Sequence, residues 1–94
     1  MSLLIKNQEF ELIENVRDGF EKDEVESKLT DYFDLFDYIV GDWAYSKLRL
    51  KGFYDPKSKK CKEYNNINGL KKYLKDNCAY NCKYFVLKRV YKNK

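Results

Sequence analysis

From Glu9 to Val16, Phe10, Leu12 and Val16 alternate with Glu9, Glu11 and Asn15, the period-two pattern of a half-buried strand. Asp18-Gly19 breaks it. Val25, Leu29, Phe33 and Phe36 then recur at helical spacing, with Glu24, Glu26, Lys28 and Asp31 opposite, so an amphipathic helix is predicted. Asp23, three residues before Glu26, reads as the start of a capping box. Tyr38 to Trp43 is short, β-branched and aromatic, a second strand. Ala44 to Ser46 turns the chain. Ser46 to Tyr54 alternates again, with Leu48 and Leu50 pointing one way and Lys47, Arg49 and Lys51 the other. Ile67, Leu70, Leu74 and Cys78 keep a helical period, with Asn66 or Asn68 as cap and Lys71, Lys72 and Lys75 outside. Lys83 to Val90 closes the series as a strand whose apolar middle marks it as central.

The predicted order is β-α-β-β-α-β. Its simplest α+β architecture is ferredoxin-like: an antiparallel four-stranded sheet, both helices on one face, right-handed crossovers. Ninety-four residues make one domain. Within it, residues 1–8 and 92–94 are expected to be loosely ordered, and residues 55–66 to form an internal basic loop containing the sole proline, Pro56.

Composition narrows the chemistry. With 44% apolar and 36% charged residues the chain reads as a globular domain, and it has neither a membrane-length apolar run nor a signal-peptide pattern, so a cytoplasmic location is expected. The absence of histidine removes Ser-His-Asp and Cys-His catalysis and HExxH metal sites. Three cysteines, Cys61, Cys78 and Cys82, are an odd set for a disulfide scaffold, and free thiols are expected. Cys78 and Cys82 are spaced CxxxC rather than CxxC, and without histidine the three cannot alone close a tetrahedral zinc site. No cofactor or metal is expected. Cys78, Cys82, Asp37, Asp42 and Tyr45 are the groups an enzyme could use, but nothing pairs a nucleophile with a base, so no enzymatic activity is expected.

Net charge is only +4, yet residues 1–42 carry twelve acids against four bases, and residues 43–94 fifteen bases against three acids. That asymmetry points to an anionic partner for the second half, unless the two halves neutralise each other in the fold. On the third strand, Tyr45, Lys47, Arg49, Lys51 and Phe53 would share one face, cations between rings, as a nucleic-acid platform requires. Lys57, Lys59, Lys60 and Lys62 would add phosphate contacts from the loop. The plainer reading is a solvated hairpin and loop. Lys51-Gly52-Phe53 opens like the third-strand signature of RNA-recognition modules, but Tyr54, Asp55 and Pro56 do not continue it.

Asp37-Tyr-Ile-Val-Gly-Asp-Trp43 through Leu48-Arg-Leu-Lys-Gly-Phe53 resembles the YutD-like family of small proteins of low-GC Gram-positive bacteria. The Phe10-Glu-Leu start, the Gly19-Phe20 step and the Cys78 to Leu87 ending look like the same family; Ala44, Ser46 and Asn81 depart from its pattern at turns. The resemblance implies an intracellular protein with no firmly assigned activity, some members being labelled transcriptional regulators, and it supplies no catalytic residues. It singles out Asp42, Trp43, Arg49, Lys51 and Gly52. Structurally, Gly41 would let the Trp43 ring lie over bare backbone, and Asp42 would pair with Arg49 or Lys47 across the hairpin. Functionally, Asp42, Trp43 and Arg49 would line a recognition site. Two functions are therefore expected to compete: RNA or DNA binding through the basic-aromatic face, and protein–protein adaptation through the surface around Trp43 and Tyr45.

Overall fold

The computed structural model describes residues 2–77 and 82–91. Five strands form one antiparallel sheet: β1 (Ser2–Ile5), β2 (Gln8–Val16), β3 (Tyr38–Ala44), β4 (Lys47–Phe53) and β5 (Tyr84–Arg89). Their spatial order is β1-β2-β5-β3-β4. Helix α1 (Lys22–Lys28) lies between β2 and β3, and α2 (Leu70–Asn77) between β4 and β5. The α+β class and the four expected strands are present. Ser2–Ile5, expected to be loose, is a fifth strand, which pairs Leu3 with Phe10 and Ile5 with Gln8.

The two helices cover opposite faces, not one. Val25 of α1 and Leu29 just after it pack with Phe10, Ile39, Leu48, Phe85 and Leu87. Leu70 and Tyr73 of α2 pack with Val40, Phe53 and Val86. The reason is readable in the strands: Ile39-Val40 and Phe85-Val86-Leu87 are consecutive buried residues, so β3 and β5 bury both faces, and each face needs a cover. This also fixes a topological point. β2 to β3 and β4 to β5 are both crossovers between parallel strands one place apart, and they run in opposite directions. A two-fold axis normal to the sheet relates the paths, so equal handedness would put both helices on one face. Because they lie on opposite faces, one of the two crossovers departs from the right-handed rule.

Local corrections have local causes. In β2 the register shifts between Leu12 and Glu14, a bulge that leaves Ile13 exposed and turns Glu14 and Val16 to the α2 side, away from Phe10 and Leu12. α1 starts after Glu21, so Asp23 lies in the first turn rather than at the cap. It ends at Lys28; Leu29 and Thr30 are extended, and Phe33 reaches the core from a short 3-10 turn, Asp31–Leu35. At the other helix the cap is as expected: the Asn66 side chain accepts from the Asn68 N–H at 2.9 Å, starting a 3-10 turn that leads into α2. Gly41 does accommodate a ring, but it is the Phe85 ring: a Cβ there would sit 2.1 Å from Phe85 Cζ. Gly52 does the same for Phe36, at 2.2 Å.

Candidate functional site: a basic rim on the edge strand

β4 is an edge strand; Lys47 and Arg49 are exposed on it and Leu50 and Lys51 partly so, whereas Leu48, Gly52 and Phe53 are buried. Its register with β3 places Leu48, Leu50 and Gly52 on the α1 face and Lys47, Arg49, Lys51 and Phe53 on the α2 face. The shared face is therefore as expected, but its residues differ in what they are committed to.

Phe53 is buried, its ring edge-on to Tyr73 at 5.5 Å, so α2 covers it. The Lys51 ammonium lies 5.1 Å from the Phe53 ring centre and 5.6 Å from that of Tyr73, a cation–π position at the margin of that cover. Arg49 stands directly across from Asp42 and grips it with two hydrogen bonds, Nε to Oδ1 at 2.9 Å and Nη2 to Oδ2 at 3.1 Å. Asp42 is 1% exposed, whereas the Arg49 side chain keeps 46% of its surface open. The hydrogen bond to Asp42 pushes the guanidinium pKa up from its already high range. Burial pushes the nearby Tyr73 hydroxyl up, with the Asp42 charge adding to it. Lys47 is exposed.

Tyr45 is not on the face. It and Ser46 form the two-residue tip of the β3–β4 hairpin, with φ of 52° and 65°, and Tyr45 is 100% exposed. Trp43 points to the α1 face, half-buried against the core. Its Nε1–H donates to the Gly19 carbonyl at 2.7 Å, and the Lys83 ammonium lies 4.8 Å from its ring centre. The expected Trp43/Tyr45 surface thus falls on two different parts of the molecule.

The loop after β4 is built of tight turns. Asp55 Oδ1 accepts from the Lys57 N–H at 2.8 Å, and the Ser58 hydroxyl accepts from Lys60 N–H at 3.2 Å. Lys57, Lys59, Lys60 and Lys62 are all exposed on it. Buried Asn65 fastens its end, accepting from the Lys62 N–H at 2.6 Å. Lys51, Lys60 and Lys62 converge on a groove of about 360 Å³ beside Leu50 and Gly52, whose other side is aromatic: Tyr32, Phe36 and Tyr64. Tyr32 and Tyr64 are 70% and 74% exposed. Periodicity hid these rings. Tyr32, seven residues after Val25, falls on the apolar side of the expected helix, where a ring reads as core, and Tyr64 lies in the expected loop.

A second cavity, about 440 Å³, opens where Asp37, Asp55 and Tyr91 meet. Asp37 accepts from the Asp55 N–H at 2.8 Å and from the Tyr91 hydroxyl. Partial burial of that hydroxyl, helped by its bond to Asp37, pushes its pKa up to about 12. Asp37 therefore ties strand ends together. Cys61 keeps a free thiol, Cys82 is disulfide-bonded, contrary to expectation, and Cys78 lies outside the described residues. Among the described residues no cluster of three or more His, Cys, Asp or Glu could hold a metal ion, and no helix is long and apolar enough to cross a membrane.

A family model described as "Putative antitoxin YutD-like" matches residues 4–88. The chain belongs to the YutD-like family. Within that family, "Putative antitoxin YutD" of Bacillus subtilis (strain 168) is 44% identical over 90 residues, which span 96% of this chain and 99% of that protein. The solution NMR structure of yutD from B. subtilis superposes with a TM-score of 0.81 at 42% identity, covering 100% of this chain and 86% of that one. The match extends from β1 into β5, so the rim on β4 lies within the YutD-like part of the chain.

Proposed function

We propose that this chain is a non-enzymatic module that binds a partner protein through the basic rim of β4. One observation carries the reading: Lys51 projects from an edge strand beside Lys60 and Lys62, with the exposed Tyr32 and Tyr64 rings next to them. Cations beside exposed rings at a sheet edge suit a protein contact with an acidic surface. The name antitoxin, carried by relatives, supports a protein toxin as that partner. The Trp43/Tyr45 version of an adaptor is less well supported, since the Trp43 indole is already occupied by core packing and Gly19.

Affinity recovery of the tagged full chain from its native host, after nuclease treatment, tests the reading. An acidic protein should be retained, and lost from the Lys60→Glu/Lys62→Glu variant. Recovery that nuclease abolishes would refute it.

A second reading is single-stranded nucleic acid in the same groove, where rings could stack on bases and lysines meet phosphates. It is the weaker one because the expected sheet platform has lost two rings, Phe53 to burial and Tyr45 to the hairpin tip. Fluorescence anisotropy with labelled single-stranded RNA at two salt concentrations decides it: steeply salt-dependent binding is required.

A further inference from the structure

We propose that the groove beside Gly52 is a nucleotide site, which takes one free nucleoside monophosphate with its base against the Tyr32 and Tyr64 rings and its phosphate on Lys60 and Lys62. The inference rests on this cavity alone and does not require the partner reading, although Lys60 and Lys62 serve both.

The outer side of β4 is closed to a polypeptide strand, because Leu48 is 3% exposed and Gly52 is buried with the Phe36 ring against it. A compact ligand needs no backbone to pair with; it needs a cavity of matching chemistry. The groove is lined by four rings. Phe36 lies 4.9 Å from Tyr54 and 5.5 Å from Tyr32, centre to centre, so these three form a continuous aromatic wall. Tyr64 is the fourth. The two exposed rings are fixed at their bases. Tyr32 belongs to the 3-10 turn Asp31–Leu35, which Phe33 anchors in the core, and Tyr64 to the turn Glu63–Asn65, which ends on buried Asn65. Stacking on such rings suits any base, because every base has a π-face.

Polar groups at the same place call for an anion. Lys60 and Lys62 line the groove and no acid does. Asp37 and Asp55 line the cavity at Tyr91 instead, and Glu63 and Asp76 line another beside Tyr73. The Lys51 ammonium is held 5.1 Å from the Phe53 ring centre and 5.6 Å from that of Tyr73, which leaves two ammonium groups for the ligand. Two charges match one phosphate monoester, at about −1.5 to −2 near neutral pH, better than a single carboxylate. Asn65 adds a donor. It is 7% exposed, lines the groove, and spends its Oδ1 on the Lys62 N–H. Among the described residues nothing accepts from its Nδ2, and that atom is not sealed from solvent, so it is left for a base or sugar oxygen.

Size sets the limit. A groove of about 360 Å³ is at the small end of the roughly 300–1,000 Å³ usual for ligand cavities, room for one nucleotide rather than a strand. A strand would also need rings in line beyond the groove, and Phe53 is covered by α2 while Tyr45 lies at the hairpin tip.

The test titrates the isotope-labelled full chain with each of the ribonucleoside 5′-monophosphates of A, C, G and U, followed by amide NMR shifts. At least one should bind and move the amides of Tyr32, Gly52, Tyr64 and Asn65. Its nucleoside and ribose 5-phosphate should each bind about tenfold or more weakly, since each keeps half of the contacts. Tyr64→Ala should weaken nucleotide binding about tenfold and leave ribose 5-phosphate unchanged. Lys60→Ala/Lys62→Ala should weaken it by about as much and leave the nucleoside unchanged. Both variants, at exposed positions, should keep the shifts of the core amides Phe10, Val40 and Val86. No shift with any of the monophosphates overturns the proposal. So does ribose 5-phosphate binding as tightly as the nucleotide, which would mean that the lysines attract any anion. Hexauridylate binding more than about a hundredfold tighter than uridine 5′-monophosphate would assign the groove to a nucleic-acid strand instead. Recovery of an acidic protein from the host judges the partner reading separately.

Discussion

At the scale of single residues, the Asp42–Arg49 pair joins a buried carboxylate to a half-open guanidinium. Removing the arginine strands the carboxylate, so Arg49→Ala should destabilise the fold by about 1–3 kcal/mol, and Arg49→Lys should restore part of it because an ammonium cannot reproduce the two-pronged grip. Denaturant melts of both single variants and of Asp42→Ala/Arg49→Ala check this; strictly additive losses would mean that the pair is not coupled. Tyr91 makes a separate prediction. Its folded pKa, about 12, lies above the ordinary 10.0, so the neutral hydroxyl is the form the fold favours. The stabilisation is fully present below pH 10 and is lost as pH rises towards 12. Burial shifts Tyr73 and Tyr84 in the same direction. Thermal melts across that window should show Tyr91→Phe losing less stability than the parent. Of the two sites, the Asp42 pair was half legible: the sequence left Arg49 or Lys47 as its partner because the turn was expected over Ala44 to Ser46, and the two-residue Tyr45-Ser46 turn puts Arg49 opposite. The Asp37–Tyr91 contact could not, since it joins residues 54 positions apart.

Among the elements, strands were more legible than helices. Alternation located β2 and β4 to within a residue or two, because one of their faces is dry and the other wet for most of their length. It failed at the β2 bulge, which adds one residue and so exchanges the faces of everything after it. The helix from Val25 to Phe36 kept its buried positions while breaking in two: the spacing reports which residues reach the core, and a 3-10 turn can deliver Phe33 as well as an α-helix can. The two-sided burial of β3 and β5 was written in the runs Ile39-Val40 and Phe85-Val86-Leu87, and a sheet covered on one side alone leaves such runs unexplained. The candidate site was legible in its cations and not in its rings, because lysines on β4 follow a period while Tyr32 and Tyr64 come from separate turns. At this scale Gly41→Ala and Gly52→Ala should each cost about 1–3 kcal/mol, because the new methyl must displace an aromatic ring that lies against the glycine. Gly69→Ala, with open space around it, is the matched control in urea denaturation.

Across the described residues, much of the charge is segregated by edge and face, although Lys88 stands opposite Glu11. Glu9, Glu11 and Glu14 lie towards one side of the α2 face, Lys47, Arg49 and Lys51 at the opposite edge, and Asp23 and Glu24 begin the helix on the other face. A chain of net charge +4 built this way should be retained at neutral pH and low salt by anion-exchange as well as cation-exchange resin. Flow through the anion exchanger would show that the acids are neutralised after all. The sheet order has one more consequence. β1 pairs with β2, and β3 with β4, as local hairpins, but the strand that joins these halves, β5, is the last of the five to leave the ribosome. Until it emerges there are two separate ribbons, each marginal alone in water. Folding of this domain therefore waits for β5, and a nascent chain stalled before Tyr84 should be fully open to protease.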